Sequence, residues 1–160
     1  MKTHRIAARA AAAVVAVVAI LTGSALLSAP AASAEPGEYR ITSDVPTLAE
    51  LNAQIRFLVA TSASDEAKAA NLEGGMDAVV VPRTVYRLGL FRAPLGSSEV
   101  TGPETHTATE HTAMLRTSSS GRPALAVEVT WKRIDGTWKL ANSSLCAGVD
   151  AVGLSIPCTF

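Results

Sequence analysis

The sequence lacks the short motifs that mark several common classes of enzyme. It contains no G-x-S-x-G nucleophile elbow, no G-x-x-x-x-G-K-[ST] phosphate loop and no H-E-x-x-H zinc motif. Its two cysteines do not form a C-x-x-C pair, and it has only two tyrosines. The sequence therefore offers no motif for serine-hydrolase, nucleotide or zinc-protease chemistry, and we expect no cofactor and no metal.

A block of basic residues is also missing. The chain has 14 basic and 14 acidic residues, but three of the basic ones precede residue 34 and all the acidic ones follow it. The part after residue 34 is therefore mildly acidic, which argues against nucleic acid or an anionic membrane surface as its main partner.

The first 34 residues have the features of a secretory signal peptide. Three basic residues precede an uncharged, alanine-rich stretch that ends in the A-x-A pattern Ala32-Ser33-Ala34. The uncharged stretch is long enough for a membrane anchor as well, but threonine, glycine, serine and proline interrupt it. We expect cleavage between Ala34 and Glu35, which leaves no stable membrane span, a polar lead-in over 35–43 and a single domain over 44–160.

Both cysteines, Cys146 and Cys158, follow the predicted leader. Since an even pair in an exported protein usually forms a disulfide, we predict a bridge that ties the C-terminal tail to the end of the last strand. A reactive thiol is the alternative, but no histidine lies near either cysteine in the sequence.

The first half of the domain predicts helices. Thr47 and Glu50 have the spacing of a capping box, in which each side chain satisfies a free backbone N–H at the helix start. An apolar stripe at helical spacing follows, formed by Leu48, Leu51, Ile55, Leu58 and Val59. A second helix is predicted from Ser64 to a stop at Gly74-Gly75, and a third over 82–91, although the run 78–81 is also typical of a strand.

The second half predicts an antiparallel sheet. A loop is expected over 93–104, an exposed edge strand over 105–117, and a strand with one apolar face over 125–132. Asp135-Gly136 predicts a two-residue hairpin turn that pairs Trp131 with Leu140 and places Trp131 and Trp138 on the core face. Helices followed by antiparallel strands indicate an α+β fold with the helices packed on a curved sheet. We favour an NTF2-like or cystatin-like cone over an unrelated sandwich.

Three motifs in this order resemble the low molecular weight secreted protein antigens of mycobacteria and related actinobacteria. They are the run Asp44-Val45-Pro46-Thr47, the segment Asn71-Leu72-Glu73-Gly74-Gly75, and the strand Gly136-Thr137-Trp138-Lys139-Leu140 followed by Ser143-Ser144. The resemblance covers about residues 44–150, and the paired cysteines and the tail 146–160 depart from it. It implies export, an NTF2-like core and no catalytic residues.

Two sets of side chains deserve a test as chemical sites. His106 and His111 flank Glu110, but on one strand the two imidazoles would face opposite sides, about 16 Å apart, so we expect exposed residues and no metal site. Asp77 with Tyr86 is the pair that would carry isomerase-like acid–base chemistry if both faced the interior of the cone.

Charged residues elsewhere predict solvated surfaces. Arg83 and Arg87 would lie together on a helix and could bind an anion, although a solvated face is the simpler interpretation. Glu128 falls on the predicted wet face of the sheet, where we expect it to pair with basic neighbours.

The sequence thus favours a secreted or cell-wall-associated module that binds an unknown protein or an apolar small molecule in a cavity behind the sheet. A small isomerase or hydratase that acts on an apolar substrate is the alternative. A third hypothesis is a fully packed core whose outer sheet face binds another protein.

Overall fold

The structure, a computed structural model, describes residues 37–160. The predicted signal peptide and the cleavage position between Ala34 and Glu35 lie outside the described residues. The described helices are α1 (Leu48–Ala60), α2 (Asp65–Ala69), α3 (Gly75–Ala78), α4 (Val80–Leu88) and α5 (Asn142–Ala151). The strands are β1 (Gly96–His106), β2 (Glu110–Ser119), β3 (Arg122–Ile134) and β4 (Thr137–Leu140).

The four strands form one antiparallel sheet in the order β1-β2-β3-β4. Helix α1 packs on β1 and α4, and α5 packs on β3. The inner face of the sheet and the helices enclose a core centred on Trp131, Trp138, Leu51, Leu58 and Leu72, each 0–1% exposed. The predicted α+β class, with helices before an antiparallel sheet, is confirmed.

The start of α1 follows from the predicted capping box. The Thr47 hydroxyl accepts a hydrogen bond from the backbone N–H of Glu50 at 3.2 Å, and the Glu50 carboxylate accepts one from the N–H of Thr47 at 2.8 Å. Helix α2 also begins where predicted, since the Ser64 hydroxyl accepts from the N–H of Ala67 at 3.2 Å.

The predicted end of the second helix at Gly74-Gly75 is wrong. Helix α2 ends at Ala69 because the next residues bond to the end of β4. The N–H of Leu140 donates to the carbonyl of Asn71 at 2.9 Å, and the N–H of Glu73 donates to the carbonyl of Leu140 at 3.0 Å. Gly75, at φ +55°, opens α3 instead.

The predicted third helix is confirmed with shifted bounds. It begins at Val80, and it ends before Gly89, which adopts the left-handed conformation at φ +67°. The strand-like run 78–81 forms no strand, because Ala78 ends α3, Val79 is the cap between the two helices, and Val80 and Val81 open α4.

The loop predicted over 93–104 is wrong, and so is the edge strand predicted over 105–117. Strand β1 already begins at Gly96, and the pairing shifts register between Thr101 and Thr105, around Pro103. A proline is tolerated there because β1 is an edge strand, whose outward N–H groups need no partner strand.

A turn divides the predicted edge strand, since the Thr107 hydroxyl accepts from the N–H of Thr109 at 3.3 Å and of Glu110 at 3.0 Å. Strand β2 is therefore an inner strand.

The Asp135-Gly136 hairpin is confirmed. Trp131 pairs with Leu140 and Arg133 with Trp138, and both turn residues have positive φ. Both tryptophans lie in the core as predicted.

Candidate functional site

An apolar pocket lies between the inner face of the sheet and helices α1, α4 and α5. The sheet residues Val127 and Val129 form one wall, and Leu145 and Val149 of α5 form another. The full lining is Ile55, Val59, Val81, Val85, Phe91, Ser98, Leu115, Thr117, Leu125, Val127, Val129, Leu140, Ser144, Leu145, Gly148, Val149, Ala151, Val152 and Leu154. No charged side chain belongs to this lining.

The pocket follows from two periodicities in the sequence. Alternate residues of β3 face the pocket, and the lining residues of α5 recur at helical spacing around Gly148. Gly148 has no side chain, and a Cβ built there would meet no atom within 4 Å. The centre of this face of α5 therefore leaves space that the facing side chains do not fill.

The pocket has an internal volume of about 80 Å³. An enclosed apolar cavity of about 150 Å³ holds one benzene ring, so this space is about half as large. This space suits the end of an alkyl chain and is too small for a fused-ring ligand.

Three hydroxyl side chains interrupt the apolar lining. The Ser144 hydroxyl accepts a hydrogen bond from the backbone N–H of Thr130 at 2.8 Å, so it stabilises the packing of α5 on β3. Ser98 and Thr117 are cross-strand partners in β1 and β2, and each is 7% exposed. The Ser98 hydroxyl is buried and has no hydrogen-bond partner among the described residues.

A smaller pocket adjoins the first. Thr117, Phe91, Leu125 and Val152 line both pockets, and the smaller one adds Ser119, Arg122 and Pro123. Arg122 is exposed and is the one charged residue in the two linings, and its guanidinium donates to the carbonyl of Val152.

A disulfide joins Cys146 to Cys158 across a Cα–Cα distance of 5.6 Å. The expectation that the bridge starts at the end of the last strand is wrong, because Cys146 lies inside α5, a helix that the sequence analysis did not predict. The bridge holds the tail beside this helix. Leu154, which lines the pocket, lies in the segment that the bridge closes.

The histidine pair differs from the prediction. His106 and His111 face each other across the β1–β2 hairpin with ring centroids 6.2 Å apart, because the turn at Thr107–Thr109 separates them onto two strands. His106 is exposed as predicted, but His111 is 1% exposed and packs edge-on against Trp131 and Trp138.

One ring nitrogen of His111 contacts a carboxylate, and the other has no partner. Its Nε2 lies 3.2 Å from the Glu104 carboxylate, and its buried Nδ1 has no hydrogen-bond partner among the described residues. Burial lowers the pKa of His111, although the Glu104 carboxylate acts in the opposite direction. Within residues 37–160, no group of three or more potential ligands could hold a metal ion.

The structure does not bring Asp77 and Tyr86 together in the apolar pocket. Asp77 is exposed on α3, and neither residue lines the pocket. The Tyr86 ring contacts two cations instead, with Lys68 Nζ at 4.8 Å and the Arg92 guanidinium at 4.6 Å from its centroid. The predicted requirement for isomerase chemistry, a carboxylate and a hydroxyl that face the interior, is not met by this pair.

The predicted arginine pair is divided between two environments. Arg83 donates to the Asp65 carboxylate at 2.6 Å, whereas Arg87 is exposed.

Glu128 is exposed on the outer face of the sheet, as predicted, but the ion pairs of residues 37–160 do not include it.

Sequence reasoning missed the polar residues around the pocket. Ser98 lay in the predicted loop over 93–104, and Arg122 lay between the strands predicted over 105–117 and 125–132, so neither was placed near the apolar face of β3. The alternation of β3 would not have found Arg122, because counting back in twos from Leu125 places residue 122 on the outer face, and the pairing of β2 with β3 shifts register between Thr117 and Ser119. The position of Ser98 depends on the pairing of β1, which Gly102 and Pro103 obscured.

These features define a small α+β domain with a disulfide, an apolar pocket and no charged group inside that pocket. A family model described as "Low molecular weight antigen MTB12, C-terminal domain" matches residues 44–155. The chain belongs to this family of low molecular weight antigens, which confirms the resemblance drawn from its three motifs. No curated protein gives a significant match to the chain.

Within residues 37–160, the longest helices fall short of the length and hydrophobicity that crossing a bilayer requires.

Proposed function

We propose that the protein is a secreted or cell-wall-associated binding module without catalytic activity, and that its pocket takes the end of an alkyl chain. The observation that carries this proposal is the pocket lining, which is apolar, uncharged and open at the centre of α5 beside Gly148. Membership of an antigen family and the Cys146–Cys158 disulfide support an extracellular location.

The size of the pocket sets a testable limit on chain length. Each buried methylene contributes about 0.8 kcal/mol, which corresponds to about a fourfold gain in affinity per carbon. The affinity for straight-chain 1-alkanols, measured by calorimetry, should rise at this rate over the first few carbons and then level off, because a volume of about 80 Å³ holds only the end of the chain. Binding should also show a negative heat-capacity change.

A matched pair of variants tests whether binding occurs in this pocket. Gly148→Leu places a side chain in the open space and should also stabilise α5, by roughly 0.5–1 kcal/mol, because glycine is a poor helix former. It should abolish alkanol binding. Ala147→Leu, at the exposed neighbouring position outside the lining, should leave binding unchanged. Equal binding by the wild type and Gly148→Leu, or no binding by the wild type, would overturn the proposal.

The proposed location has its own test. Intact-mass analysis of culture filtrate should find a chain that begins at Glu35. A full-length chain recovered only from the membrane fraction would contradict export and cleavage.

A further inference from the structure

We infer that the ligand is a single-chain amphiphile with an anionic head group, whose head lies at the Ser98–Thr117 hydroxyl pair on the side of the pocket that leads to Arg122. This inference rests on the proposed function, because it assumes that the apolar pocket takes an alkyl chain. It adds the chemistry of the other end of the ligand.

The first observation is the Ser98 hydroxyl. It is buried in an apolar lining and bonds to no described group. A buried hydroxyl without a partner destabilises the folded state, so natural proteins rarely retain one. A ligand oxygen in this part of the pocket would supply the missing partner.

The second observation is the position of Thr117. Thr117 lies directly across from Ser98 on the neighbouring strand, so the two hydroxyl-bearing side chains mark one place on the inner face of the sheet. Thr117 also lines the smaller pocket that contains Arg122. A head group at these two residues therefore lies at the junction of the apolar pocket and the smaller pocket.

The third observation is the charge at that junction. Arg122 contributes the one charge in the two linings, and neither lining contains a carboxylate. One hydrogen bond from its guanidinium goes to the carbonyl of Val152, and a guanidinium has five N–H donors. The other N–H donors of the exposed Arg122 side chain can therefore bind an anionic head group, whereas its positive charge would repel a cationic head group.

The test compares three eight-carbon probes that differ only in their head group: octanoate, octan-1-ol and octylammonium. The wild-type protein should bind octanoate best and octylammonium worst at pH 7 and low salt. Arg122→Gln should weaken octanoate binding about threefold to fivefold, the effect of one exposed charge pair, and change octan-1-ol binding by less than twofold. Added salt should also reduce the difference in affinity between octanoate and octan-1-ol.

Two further variants separate the hydroxyl from the charge. Ser98→Ala should weaken both octanoate and octan-1-ol about fivefold, and it should raise the melting temperature of the free protein because it removes the unpaired hydroxyl. Ser97→Ala, on the exposed face of the same strand, should change neither the binding of these probes nor the melting temperature. Arg116→Gln, an exposed arginine on β2 outside both linings, is the control for Arg122→Gln.

The outcomes distinguish this inference from the proposed function. If octan-1-ol does not bind at all, the proposed function is wrong, and this inference is then wrong as well. If octan-1-ol binds as well as octanoate and Arg122→Gln affects neither, the pocket holds an alkyl chain but the anionic head group is wrong. Tighter binding of octylammonium than of octanoate would also overturn the inference.

Discussion

Gln54 connects helix α1 to the sheet from a fully buried position, and replacing it should be among the most destabilising single changes in this protein. Its amide nitrogen donates to the Asn71 side-chain oxygen at 2.9 Å and to the carbonyl of Trp138 at 2.7 Å. Its amide oxygen accepts from the indole N–H of Trp131 at 2.7 Å. All four groups are buried, so a lost bond cannot be replaced by bulk water.

Gln54→Met keeps the length of the side chain and removes these three hydrogen bonds. Each buried partner that loses its bond costs about 1–3 kcal/mol, and the added apolar burial of methionine offsets a part of that sum. We therefore expect the free energy of unfolding to fall by about 3–5 kcal/mol. Equilibrium denaturation in urea, followed by tryptophan fluorescence, measures this loss.

Arg56→Met on the exposed face of the same helix is the matched control and should change stability by less than about 0.5 kcal/mol. A loss below about 1 kcal/mol for Gln54→Met would refute the reasoning, because it would mean that the three buried partners find other bonds.

Two further predictions concern the tail and the buried histidine. The bridge between Cys146 and Cys158 spans 12 residues, so replacing both with serine should lower the free energy of unfolding by about 3 kcal/mol in urea denaturation; an unchanged midpoint would contradict a closed bridge in the folded protein. Because burial lowers the pKa of His111 in the folded state below its ordinary value of 6.5, the unfolded chain binds a proton first as pH falls, and stability should decrease below about pH 6.5. His111→Gln should remove this part of the pH dependence and His106→Gln should retain it; an equal pH dependence in both variants would show that His111 is not the source.

The sequence predicted local features well where one residue type determines one backbone state. The capping box at Thr47, the cap at Ser64 and the turn at Asp135-Gly136 all lie where expected, because each is decided by neighbours within a few residues. The Trp131–Leu140 register then followed from the length of the turn.

Features that depend on contacts between residues far apart in the sequence could not be predicted from local sequence patterns. The end of α2 depends on hydrogen bonds between residues 71–73 and Leu140, which are far apart in sequence. The burial of His111 depends on a turn within a threonine-rich run whose alternation is weak. The pocket was expected in general terms, but Ser98 and Arg122 reach it only through the pairing of β1 with β2 and of β2 with β3.

The most direct test of the account is native mass spectrometry of the protein purified from its own host, with the Gly148→Leu variant purified in parallel. We expect the wild type to retain one single-chain amphiphile that carries an anionic head group, and Gly148→Leu to carry none. A wild-type protein free of any small molecule that also fails to take up octan-1-ol on addition, or the same molecule retained by both proteins, would contradict the claim that this pocket binds an alkyl chain.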